Sequence, residues 1–88
     1  MKTNRDYRHC FLHTKIRMLQ RHEMDIALIE YEQLCSRYCS GEVNITGVEK
    51  HQHIFETEFK GKNLKFVWCL RRKTITTVLR RLQVGETV

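Results

Sequence analysis

The spacing of apolar residues changes at Gly41, and that change limits what this chain can fold into. Before Gly41, apolar residues recur every three or four positions, the period of a helix face. After it they recur every two, the period of a half-buried strand. A chain of 88 residues has room for one modest core, so helices and strands must share it. The expectation is a single α+β domain over 1–88. Two N-terminal helices, within about 6–40, pack on a three- to four-stranded antiparallel β-meander within about 42–82, and a frayed tail follows at 83–88.

Asp6 is placed to cap a first helix running to about His22. Leu12, Ile16 and Leu19 form its expected core stripe, widened by Phe11 and Met18. Asp25 is placed to cap a second helix, with Met24 and Ile29 as a hydrophobic staple. Ile26, Ile29, Leu34 and Tyr38 carry its period and Gly41 ends it, so the link between helices is only two or three residues.

Val43, Ile45 and Val48 suggest a weak first strand, interrupted by Gly47. His53 to Phe59 alternates cleanly. Lys60-Gly61-Lys62-Asn63 reads as a hairpin loop. Leu64 to Leu70 follows, with Leu64, Phe66, Trp68 and Leu70 on the core face, then an Arg71-Arg72-Lys73 turn. Thr74 to Leu82, rich in β-branched residues, is the last strand.

Charge is uneven along the chain. The formal net charge is +6 and the sequence pI about 9.4, which points to an anionic partner, most often nucleic acid. Residues 1–21 carry Lys2, Arg5, Arg8, Lys15, Arg17 and Arg21 against Asp6 alone, whereas Glu23, Asp25, Glu30 and Glu32 follow without a base. From Lys60 to Arg81 there is no acid. Lys60, Lys62, Lys65, Arg71, Arg72, Lys73 and Arg80 are therefore candidates for holding a phosphate backbone. Basic residues on strand edges and turns also discourage sheet-to-sheet aggregation, an equally good account of this block. No apolar run approaches the roughly 20 residues that span a bilayer, and no signal-peptide core follows Met1-Lys2, so a cytoplasmic protein without membrane partners is expected.

Cys10, Cys35, Cys39 and Cys69 form no CxxC pair and read as free thiols acting as small hydrophobes. Cys35 and Cys39 with His51 and His53 would suit Zn²⁺ chemically, but the loop spacing matches no common zinc module, and no metal or cofactor is expected.

The segment His9–His22 repeats chemistry at every fourth residue: His9, His13, Arg17, Arg21. On a helix these form one ridge. An imidazole moves protons near neutral pH, and a guanidinium stabilises charge on a phosphate. The plain alternative is a solvated basic face, or one pairing with the acids of the second helix.

His13, Arg17, Met18 and Arg21 spell H-x-x-x-R-M-x-x-R ahead of the meander "IFETEFKGKNLKFVWCLRRKTITTVL". This pattern resembles small bacterial and phage proteins, catalogued mainly as a domain of unknown function, that are linked to the barnase/EndoU/RelE-like ribonuclease toxins and share a BrnT-like layout. The resemblance covers roughly residues 9–80. It implies an α+β fold and metal-independent endoribonuclease action, with the 2′-hydroxyl of RNA attacking the adjacent phosphate. Carried onto this chain, it implies His13 as general base or acid and Arg17 and Arg21 as phosphate ligands. It places Thr76 or Thr77, with Arg80, on the final strand as further active residues, and an antitoxin as partner. His9 and Cys10 add to the motif, and the Arg71-Arg72-Lys73 turn is more basic than the pattern. The alternative expectation is a non-catalytic phage or mobile-element protein that binds nucleic acid, or grips an acidic host protein, through the same basic face.

Overall fold

The computed structural model describes residues 4–80, with side chains from Tyr7 onward; Arg81, Leu82 and the tail at 83–88 lie outside the described residues. Two helices, α1 (Asn4–His22) and α2 (Leu28–Ser40), precede four strands, β1 (Asn44–Glu49), β2 (Gln52–Phe59), β3 (Lys62–Cys69) and β4 (Thr74–Val78). The strands form one antiparallel sheet in the order β1-β2-β3-β4, a plain meander. The α+β arrangement is the one the change of period demands. Among the described residues no helix is long and apolar enough to cross a membrane.

Register places the core. Phe55 pairs with Phe66, His53 with Trp68 and Thr57 with Leu64, so one face of β2 and β3 carries aromatic and aliphatic side chains. Ile75 and Val78 continue that face onto β4 across a bulge. Tyr31 and Leu34 of α2, Met18 of α1 and Ile26 between the helices close over it. Tyr38 stacks on Trp68 with ring centroids 4.1 Å apart. The Tyr31 hydroxyl donates to the Ile75 carbonyl at 2.5 Å and lies 2.7 Å from Thr74 Oγ1. With its one proton committed to the carbonyl, the phenol accepts from Thr74.

The turns follow local chemistry. Phe59 pairs with Lys62, so the loop between β2 and β3 is the two residues Lys60-Gly61, shorter than the four expected. Both have positive φ, 51° and 84°, the signature of a type I′ turn whose twist matches the strands. Gly41 (φ 80°) ends α2 in the left-handed conformation, its amide bonding back to Tyr38. Gly47 sits where a Cβ would come within 3.3 Å of the Ile54 side chain, beside the irregularity between Ile45 and Gly47 in β1.

Several expectations are corrected. Leu12, Ile16 and Leu19 are 48, 54 and 61% exposed and do not form the α1 core stripe. Cys10, Thr14 and Met18 are buried instead, with Tyr7 and Phe11 half-buried beside them. Small Cys10 and Thr14 let the α1 backbone approach β4, where Arg21 and His22 find main-chain acceptors on Val78 and Leu79. Asp6 lies inside α1 rather than capping it. Asp25 does not cap α2: its carboxylate bonds Lys15, and the cap is Ala27, whose amide donates to Glu30 at 2.8 Å. Ile29 is exposed, so no staple forms, and the link between the helices spans five residues, 23–27. Leu70 leaves β3 for the turn and is 38% exposed. β4 ends at Val78, leaving Arg80 beyond the strand.

Candidate nucleic-acid interface

α1 lies along β4, an edge strand of the sheet. Arg21 Nη1 donates to the Val78 carbonyl at 2.8 Å, and His22 Nε2 lies 2.8 Å from the Leu79 carbonyl. A carbonyl can only accept, so His22 carries its proton on Nε2. Residues adjacent in α1 thus hold adjacent peptide groups at the end of β4.

These contacts fix a ridge. His13 is exposed, while Arg17 and Arg21 are half-buried. Arg17 bonds Gln20 at 2.9 Å one turn on, which orients its guanidinium along the helix. The His13 imidazole is held below the ordinary histidine range by partial desolvation first, then by the positive charges of Arg17, His9 and Arg21. Thr77, half-buried, points its hydroxyl 3.5 Å from the same Val78 carbonyl that takes Arg21. The structure therefore brings His13, Arg17 and Arg21 into one electrostatic group, and joins Thr77 to it through one peptide group. Thr76 donates instead to the Val67 carbonyl.

Next to the ridge is a cleft of about 460 Å³, lined by Gln20, Arg21, His22, Glu23 and, from the β2–β3 turn and the start of β3, Gly61, Lys62, Asn63 and Leu64. Helix and hairpin thus contribute Arg21, His22 and Lys62 to one opening, with Glu23 as its acid. Lys65, whose carbonyl takes the Leu79 amide, and Arg80, one residue beyond, add exposed charge at this end of the sheet. His22 escaped the sequence reading because it falls off the every-fourth-residue ridge; its signal is its place in the last turn of α1.

The block from Lys60 to Arg80 does not form one surface. β3 is eight residues long, so its two ends are roughly 23 Å apart. Lys62, Lys65 and Arg80 belong to the end beside His22. Arg71, Arg72 and Lys73 are exposed at the opposite end, where the Arg72 guanidinium reaches Cys10 Sγ at 3.8 Å. The acids missing from this stretch of sequence come from neighbouring elements: Glu56 is paired across the strands with Lys65, and Glu30 lies 3.5 Å from Lys60. Lys60 also donates to the Asp25 carbonyl at 3.0 Å and sits over the Phe59 ring, so it ties the hairpin to the helices.

His53 bonds the Tyr38 hydroxyl through Nδ1 at 2.7 Å, and Cys35 lies 3.6 Å from the Thr74 hydroxyl. Among the described residues no three His, Cys, Asp or Glu side chains are grouped to hold a metal ion. No protein-family model, no curated protein and no solved structure matches the chain.

Proposed function

We propose that this protein binds RNA along the α1–β4 edge, in the manner of a toxin-type RNA-acting protein. The observation that carries the reading is the meeting of Arg21 and His22 with Lys62 in one cleft, continuous with the His13-Arg17 ridge. Main-chain anchoring holds Arg21 and His22 at a set spacing before a ligand arrives, which lowers the ordering cost of binding. An open cleft admits a single strand, whose phosphates meet Lys62 and Arg80 while Asn63 offers hydrogen bonds to base edges.

Cleavage is the second reading, favoured by His13. An imidazole kept neutral beside two guanidiniums is suited to take the 2′-hydroxyl proton while Arg17 faces the phosphate.

The test is binding of a labelled single-stranded RNA at increasing salt, with Lys62→Glu and Arg80→Glu against Arg71→Glu at the far end. The expected result is a steep fall of affinity with salt and a loss confined to the first two variants. No binding at low salt, or equal losses in all three, overturns the reading. Stronger binding of single-stranded DNA would move the ligand to DNA. Cleavage of total RNA in the presence of a chelator, abolished by His13→Ala, decides the second reading.

A further inference from the structure

The end of the molecule away from the cleft carries a second concentration of charge. The β1–β2 turn, Lys50-His51, and the β3–β4 turn, Leu70 to Lys73, lie side by side there, because Gln52 pairs with Cys69 and the Leu70 amide donates to the His51 carbonyl at 2.9 Å. The longer turn is held from within. The Lys73 amide returns to the Cys69 carbonyl at 2.7 Å, and the Arg72 amide meets Cys69 Sγ at 3.4 Å. Lys50, His51, Leu70, Arg71, Arg72 and Lys73 are all exposed on this joint tip. Two acids approach it: Glu49, which accepts from Gln52 at 2.7 Å, and Glu32 of α2, which shares a groove with Lys73. The four bases outnumber them two to one.

The apolar residues say which polyanion fits. Leu70 stands among the bases at 38% exposure, and Val48, two residues before Lys50, is 72% exposed. Both are aliphatic. Trp68, two residues before Leu70, is buried and stacked on Tyr38, so β3 brings no ring to this tip on which a nucleobase could stack. Cations set around exposed aliphatics match a bilayer surface. The cations meet lipid phosphates and carboxylates, while the aliphatic side chains enter the boundary of the acyl chains. The expectation of no membrane partner rests on the lack of a spanning run, and contact with a surface needs none.

We infer that the tip formed by the β1–β2 and β3–β4 turns binds the surface of an anionic lipid bilayer, with Lys50, Arg71, Arg72 and Lys73 on the headgroups and Leu70 in the interface. The inference does not rest on the RNA reading, whose cleft lies at the other end of the sheet.

Co-sedimentation with vesicles of phosphatidylcholine and phosphatidylserine, against vesicles of phosphatidylcholine alone, tests it. The chain is expected to pellet with the anionic vesicles only, and to be released as salt rises. Lys50→Glu with Arg71→Glu is expected to weaken the partition roughly tenfold or more, and Leu70→Ala several-fold, each with an unchanged far-ultraviolet circular dichroism spectrum. These positions are exposed in turns, so the fold does not depend on them. A wild-type chain that stays in the supernatant overturns the inference. So does equal binding to neutral vesicles, or a Leu70→Ala chain that binds as tightly as the wild type. A Lys62→Glu loss as large as that of the double variant also overturns it, since net charge rather than the tip would then carry the contact. An Arg71→Glu chain that loses affinity for single-stranded RNA assigns the tip to nucleic acid and overturns it as well.

Discussion

Arg21 and Val78 are joined by a 2.8 Å hydrogen bond from guanidinium to carbonyl, between residues 57 positions apart in the sequence. The same guanidinium faces the cleft. One side chain thus fastens α1 to the sheet and lends its charge to the cleft. Arg21→Ala is expected to lower stability by about 1–2 kcal/mol, measured by urea unfolding, because the buried Val78 carbonyl loses a charged donor. Arg21→Lys is expected to keep the charge in the cleft but little of the anchoring, read as a similar loss in urea unfolding, since an ammonium lacks the planar fork.

Tyr31→Phe removes the donor to the Ile75 carbonyl and the acceptor for Thr74, both in the core. Leaving buried polar groups unpaired costs about 1–3 kcal/mol. A fall of that size in unfolding free energy is expected, and a Tyr31→Phe chain as stable as the wild type would show that the hydroxyl network contributes nothing. Burial also raises the Tyr31 phenol well above its ordinary range, so no tyrosinate absorbance from it is expected below global alkaline unfolding.

Thr14 is fully buried on the α1 face that meets β4, and its hydroxyl has no hydrogen-bond partner among the described residues. Valine has nearly the same shape without the polar atom. Thr14→Val is expected to raise stability by about 1 kcal/mol, read as a higher thermal midpoint. A lower midpoint would count against the unpaired state of the hydroxyl.

His13 titrates below the unfolded-chain value, so the folded state holds this proton less firmly than the unfolded chain does. The sign follows: its contribution to stability is intact above the unfolded pKa of about 6.5 and declines as pH falls through it. The expected result is an imidazole midpoint below about 6.5 in a nuclear magnetic resonance titration, moving upward in Arg17→Gln as a neighbouring charge is removed. A midpoint unchanged by Arg17→Gln would separate the two side chains electrostatically. If His13 is the base for cleavage, activity falls on the acid side of that same midpoint.

Much of this architecture was legible from periodicity. The switch at Gly41 predicted helices then strands, and the alternation from Phe55 to Trp68 predicted the sheet core, because a strand's side chains have only two faces to occupy. The orientation of α1 was not legible. A count of aliphatics selects Leu12, Ile16 and Leu19, but the docked face is Cys10, Thr14 and Met18. That choice depends on small residues permitting close approach and on main-chain acceptors of β4, neither of which a helical wheel records. The candidate site was legible in part. His13, Arg17 and Arg21 could be found by spacing on one helix, whereas His22 and Lys62 meet only once the β2–β3 turn folds back against the end of α1. The far placement of Arg71 to Lys73 follows from strand length, which turns neighbours in sequence into opposite poles of the molecule.

The acceptors for Arg21 and His22 are peptide carbonyls rather than side chains. Substitution at positions 78 and 79 therefore leaves the latch between α1 and β4 in place so long as the strand keeps its course. Mutational drift can loosen it only from the helix side, where the donors also line the cleft. The anchoring of α1 and the lining of the cleft are consequently inherited together through Arg21 and His22, and a substitution at either residue alters both.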